Sequence, residues 1–228
     1  MTGHVGKLFV VGTPIGNLED ITLRALRVLR EADLVAAEDT RHTGVLLAHY
    51  QISKPLVSYH EFNEAKRTAE LLQKLKQGQR IALVSDAGMP TLSDPGLRLV
   101  RAAAQAGCEI ESIPGPSAIT AALAASGVST QSFLFYGFLP AKSGQRRNAL
   151  AALAGLPHAL VIFESPYRLH KTLADLREML GNRHAVIARE LTKRFEEVMR
   201  GDLENLSKML ENRRVKGEIT LIVEGCKK

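Results

Sequence analysis

The sequence predicts an α/β protein of two domains, each a largely parallel sheet flanked by helices. Three observations predict it. Short apolar runs alternate with amphipathic stretches along the chain, the pattern of strand–helix–strand units. Six clusters rich in Gly, Pro and charged residues follow strands, at equivalent ends. A Pro114-Gly115-Pro116 break divides the chain into two α/β lobes of similar size, residues 1–115 and 116–228, with a cleft between them.

The elements follow in order. Lys7-Leu8-Phe9-Val10-Val11 reads as a strand ending at Gly12. Asp20 is placed to cap the next helix, whose apolar face runs Ile21, Ala25, Val28, Leu29 and Ala32. Leu34-Val35-Ala36-Ala37 is the second strand, and Leu56-Val57-Ser58 continues the alternation before a helix over 65–76. Arg80-Ile81-Ala82-Leu83-Val84 is strand-like, a helix over 96–106 ends at Gly107 as a C-terminal cap, and 109–113 closes the first half. In the second half 133–136, 159–163, 185–188 and 218–223 read as strands, with helices near 145–154 and 166–180.

Composition narrows the function. The 228 residues carry 30 Lys+Arg against 24 Asp+Glu, a net charge of +6, with 45% apolar residues, which excludes a disordered chain and suits an anionic partner. The two cysteines, Cys108 and Cys226, form no C-x-x-C pair, which excludes a zinc ribbon and suits a reducing cytoplasm. No run of roughly 18 apolar residues offers a membrane span, and the first residues carry no signal-peptide pattern.

Ligands of open α/β sheets bind beyond the carboxyl ends of the strands, where the six clusters fall. They are Gly12–Asn17, Glu38–His42, Ser85–Gly96, Pro114–Ser117, Glu164–Arg168 and Arg189–Lys193. Gly12-x-x-x-Gly16 is neither the dinucleotide fingerprint nor a P-loop. No H-E-x-x-H or G-x-S-x-G occurs, so nothing supports zinc hydrolysis or α/β-hydrolase chemistry, and no metal is expected. What remains is an edge of turns and small residues, which lets main-chain groups approach an adenosine-like ligand closely. Asp86 is placed either to accept from ribose hydroxyls or an amine, or to cap its own turn.

Taken together, Gly12-Thr13-Pro14-Ile15-Gly16-Asn17, Glu38-Asp39-Thr40-Arg41, the 85–96 stretch, Pro114-Gly115-Pro116, Gly137–Lys142, Glu164-Ser165, Ala188–Lys193 and Lys216-Gly217-Glu218 resemble, in that order, the tetrapyrrole methylase superfamily. Within it the resemblance is to the branch that methylates small-subunit ribosomal RNA, and it spans roughly residues 6 to 225. It implies a two-domain tetrapyrrole methylase-like fold, a homodimer, and S-adenosyl-L-methionine as methyl donor. The implied reaction is methylation of the ribose 2′-hydroxyl of cytidine 1402 in 16S rRNA of the small ribosomal subunit. Pro14, Val84, Ser85, Asp86, Met89, Ser117, Ala118, Glu164 and Leu191 fall at the superfamily's cofactor positions. Two alternatives stay open: a precorrin-type tetrapyrrole methyltransferase of the same fold, and a non-catalytic ribosome-assembly module.

A ribose hydroxyl is a poor nucleophile, so a proton acceptor is sought among Glu38, Asp39, His42, Asp86 and Glu190. Glu190 or Asp39 is expected to orient the ribose, with Lys193 and Arg41 on flanking phosphates. Lys142, Arg146, Arg147 and Arg168 are further candidates for RNA contact, whereas Arg213 and Arg214 read as a solvated face.

Overall fold

The computed structural model describes residues 6–227. The chain divides between Ser117 and Ala118 into two compact units. No helix among the described residues is long and apolar enough to cross a membrane.

The first unit holds strands β1 (Lys7–Val11), β2 (Leu34–Ala37), β3 (Leu56–Ser58), β4 (Arg80–Val84) and β5 (Glu109–Ile113), ordered β3-β2-β4-β1-β5. Every neighbouring pair is parallel, so all five carboxyl ends share one edge. The helices are α1 (Leu23–Glu31), α2 (Thr40–His49), α3 (Glu64–Lys76) and α4 (Leu97–Gln105). Alternation along the strands sorts side chains between two cores. Phe9, Val11, Val35, Ala37, Ala82 and Val84 meet the apolar faces of α1 and α2. Leu8, Leu34, Ala36, Ile81 and Leu83 meet Leu71, Leu75, Leu99 and Ala103 of α3 and α4. Each fully buried Leu adds about 1.5–3 kcal/mol of apolar burial. Loops after β1 and β2 lead to one face and loops after β3 and β4 to the other. They part above the strand ends, where doubly wound sheets form ligand crevices.

One cap differs from expectation. Asp20 belongs to a single 3₁₀ turn, Leu18–Asp20, and Thr22 caps α1 by accepting from the Ala25 amide. A hydroxyl three residues before the amide it accepts from fits the N-cap geometry that Asp20 is too distant to supply.

The second unit holds α5 (Ala118–Ser126), β6 (Phe133–Phe138), α6 (Ser143–Leu153), β7 (Ala159–Glu164), α7 (Leu169–Leu180), β8 (His184–Arg189), β9 (Glu197–Asp202), α8 (Leu203–Leu210) and β10 (Ile219–Val223). Its sheet is ordered β6-β7-β10-β8-β9. Here the expectation of a largely parallel sheet is corrected: only β6 and β7 are parallel, and the other three pairs are antiparallel. The connection over 190–196 carries no crossover helix, so β8 and β9 pair antiparallel. Helices α6, α7 and α8 bury Leu150, Leu173, Leu176, Leu206 and Leu210 in one core with the strands. Strand β9 and helix α8 escape the apolar-run reading, because Glu197-Val198-Met199-Arg200-Gly201-Asp202 holds only two apolar side chains. Arg200 of β9 closes the C-terminus of α5, donating to the carbonyls of Ala125 and Ser126.

Candidate active site

At the carboxyl edge of the first sheet three loops are fastened together by main-chain contact. Thr13 and Gly88 exchange backbone hydrogen bonds of 2.9 and 3.1 Å, and the Thr13 hydroxyl donates to the Ser85 carbonyl at 3.1 Å. A Cβ placed on Gly12 would lie 2.8 Å from the Gly115 Cα and 2.7 Å from the Met89 sulfur, so only glycine lets the loops after β1 and β5 meet. Of the expected cofactor residues, Pro14, Val84 and Ser85 are buried at this edge, and Asp86, Met89 and Ser117 are half-buried.

The ends of β2 and β4 are tied by side chains. The Asp39 amide donates to Asp86 at 3.0 Å, and the Asp86 amide donates to Glu38 at 3.3 Å. Asp39 also caps α2, accepting from the Arg41 amide at 2.8 Å and from the Arg41 guanidinium at 2.7 and 3.1 Å. The guanidinium holds the Asp39 carboxyl far below the usual carboxylate range. Such a group is a weak proton acceptor.

Beside these ends opens a cavity of about 1300 Å³, contained within the first unit. Its lining includes Glu38, Arg41, His60, Phe62, Asp94 and Arg98. Two acids are shifted upward. Burial, then the Asp86 and Glu61 charges, push Glu38 up against the pull of the Asp86 amide. Burial, reinforced by the charges of Glu38 and Asp86 and opposed by a Ser85 hydrogen bond, pushes Asp94 up to about 6. Asp94 is carried by a loop in which Thr91 and Ser93, neither of them glycine, adopt φ of 76° and 66°. The His60 Nε2 pairs with the Asn63 amide at 2.9 Å, while its Nδ1 is buried without a hydrogen-bond partner among the described residues.

The sequence-predicted residues of the second unit behave differently. Glu164, its side chain 0% exposed, accepts from the Ser165 amide at 2.6 Å, from Arg168 Nε at 2.8 Å and from the Thr172 hydroxyl at 2.5 Å. Arg168 is thereby held against β7. Arg146 requires correction as an RNA-contact residue: its side chain is 2% exposed, bonded to Asp175 at 2.7 Å and to the Pro140 and Ala141 carbonyls. The apolar residues around it on α6 turn it inward, which a basic pair in a polar stretch does not reveal. Arg147 is more exposed and pairs with Glu178, while Lys142 is exposed. Ala118 opens α5 half-buried, and Leu191 is buried.

Glu190 and Lys193 are brought together, at 3.0 Å. Glu190, at φ 51°, also accepts from the Glu218 amide at 3.0 Å, and Lys193 reaches Glu218 at 3.0 Å. Burial pushes the Glu190 carboxyl up, but the Glu218 amide and the Lys193 ammonium outweigh it and hold the group below its ordinary value. Burial lowers Lys193, and the two carboxylates more than restore it. Sequence reasoning missed Asp94, His60 and Arg98. The signal for Asp94 was present, since it stands in the 85–96 cluster just ahead of α4.

Residues 7–207 match the family of tetrapyrrole (corrin/porphyrin) methylases. The fold agrees. A cobalt precorrin-4 methyltransferase superposes with TM-score 0.70 at 18% identity, covering 98% of this chain and 97% of that one. A diphthine synthase gives 0.71 at 17%, covering 96% and 90%. The family match, with which the fold agrees, defines the class, a methyltransferase of the tetrapyrrole methylase type. A relative from Thermotoga maritima, ribosomal RNA small subunit methyltransferase I, is 50% identical over 97% of this chain and 99% of its own length. The protein of that name from Escherichia coli O157:H7 is 51% identical over 97% of this chain and 79% of its own length. The chain belongs to the tetrapyrrole methylase family, in the group of ribosomal RNA small subunit methyltransferase I.

Proposed function

We propose that the protein transfers a methyl group from S-adenosyl-L-methionine to the ribose 2′-oxygen of one cytidine, cytidine 1402, in 16S rRNA of the small ribosomal subunit. The observation that carries this reading is the 50% identity, held along nearly the full length of both chains, to a relative named for that RNA.

The residues at the first carboxyl edge fit an adenosine-bearing donor. Its ribose and adenine need close main-chain groups and a carboxylate. The Gly12–Gly115 approach and the Thr13–Gly88 pairing bring main chain together there, and Asp86 supplies the carboxylate. Pro14, Val84, Ser85, Met89 and Ser117 would line the donor, whose sulfonium supplies an electrophilic methyl group when bound. The protein's task is then alignment and removal of one proton. Alignment alone is worth up to about 7–11 kcal/mol. The exposed Lys142 would meet phosphates, and Arg41, paired with Asp39 but 90% exposed, would reach them from that pair, whereas Lys193 and Arg168 are held by carboxylates in less exposed positions.

The test is transfer of labelled methyl from the donor to small ribosomal subunits lacking the modification, followed by mapping of the label. Label on the 2′-oxygen of a single cytidine is expected. Label on no RNA, with donor binding intact, would turn the reading toward the binding module.

A further inference from the structure

We infer that the cavity of the first unit receives the acceptor nucleotide and that Asp94 takes the proton of its hydroxyl. The inference rests on the methyl-transfer reading above and adds its proton acceptor.

Geometry comes first. Asp94 lines a cavity that also presents cations and an aromatic ring, the two things an unpaired nucleotide requires. Arg98 and Arg101 lie three residues apart on α4, both exposed, and form no ion pair among the described residues. They are available to phosphates. Phe62, 89% exposed at the mouth ahead of α3, offers a face to a base. Its one ring contact among the described residues is the edge of His60, at 6.1 Å between centroids, so most of the ring is left for a base.

Chemistry comes second. A proton acceptor works best when its pKa lies near the working pH and it lacks a competing cation. Asp39 is clamped by Arg41, and Glu190 is held by Lys193 and the Glu218 amide. Asp94 has neither restraint. Burial, and then the charges of Glu38 and Asp86, favour its protonated form. The other charged groups around the cavity are Asp39 at the N-cap of α2 and Arg41 in its first turn, His60, Glu61 and Glu64 ahead of and within α3, and Arg98 and Arg101 of α4. In the step, the hydroxyl oxygen bonds to the methyl carbon while its proton passes to Asp94. The carbon–sulfur electron pair stays on sulfur, leaving a neutral thioether, and Asp94 then releases the proton to water.

The test uses the full chain as wild type, Asp94→Asn and Asp94→Glu, with three readouts. Single-turnover methyl transfer to unmodified small subunits should fall by about 10²–10⁴-fold in Asp94→Asn, with partial recovery in Asp94→Glu. The wild-type rate should decline below pH about 6, and Asp94→Asn should lack that inflection. Donor binding by calorimetry should stay within about twofold of wild type in both variants, since proton transfer takes no part in it. Melting supplies a readout independent of activity. An acid raised from 3.8 to about 6 in the fold costs stability as pH rises through that window, so Asp94→Asn should raise Tm more at pH 8 than at pH 4. An active wild type with Asp94→Asn within about threefold of it, or with the inflection retained, overturns this inference alone. A wild type inactive on small subunits overturns the methyl-transfer reading and this inference with it.

Discussion

The carboxyl edge of the first sheet and the helix layer of the second unit both enclose carboxylates, yet only the second gives each of them a cation. Glu164 has Arg168, and Asp175 has Arg146. Around these pairs the Thr172 and Ser143 hydroxyls donate to the carboxylates, and the Pro140 and Ala141 carbonyls accept from Arg146. Glu38 and Asp94 have no ion pair among the described residues, and burial pushes both upward. A buried ion pair fixes a shape, and breaking it is costly. A half-buried acid without a cation costs the fold stability, and such groups concentrate where protons are moved. Charge alone does not separate the two cases; burial and the partners of each carboxylate do.

Three substitutions sharpen the contrast. The largest effect is expected from Asp175→Ala, which leaves the Arg146 guanidinium enclosed with only carbonyl partners. Denaturant unfolding should show a loss of about 3–5 kcal/mol. A loss below about 1 kcal/mol would mean that the pair is solvated in practice, and the contrast would fail. Thr172→Val comes next. It keeps the shape of the side chain but removes one donor from the wholly buried Glu164, so about 1–3 kcal/mol should be lost. Arg147→Ala is the smallest. Its pairing with Glu178 lies at the surface, so melting should shift by less than about 1 kcal/mol of stability. A large loss there would show that the neighbouring Arg146–Asp175 cluster depends on it.

The first unit was the more legible in the sequence. Its strands β1, β2 and β4 are buried on both faces, so Leu8–Val11, Leu34–Ala37 and Ile81–Val84 stand out as unbroken apolar runs. The second sheet kept its strand positions but not its directions. Direction depends on which strand the chain returns beside, and β10 sits between β7 and β8 without any local mark of it. The rim clusters identified the loops at the first edge, and Asp39 and Arg41 emerged as the local pair their spacing allows. Arg146 misled because two adjacent arginines look alike in sequence, while α6 turns one inward and one outward. Asp94 was passed over for a related reason. Its shift is made first by burial in the folded loop and then by Glu38 and Asp86, which approach it only once β2 and β4 pair.

Strand β1 lies between β4 and β5, and β10 lies between β7 and β8. A chain made from its N-terminus therefore holds Lys7–Val11 with neither sheet neighbour until Arg80–Val84 has left the ribosome. At about 5–20 residues per second, that wait lasts seconds. The second sheet stays in two pieces, β6 with β7 and β8 with β9, until Ile219–Val223 slides between them. Each piece meanwhile offers an open edge to a wrong partner. The first unit can close while translation continues, whereas the second must wait for the last strand of its sheet.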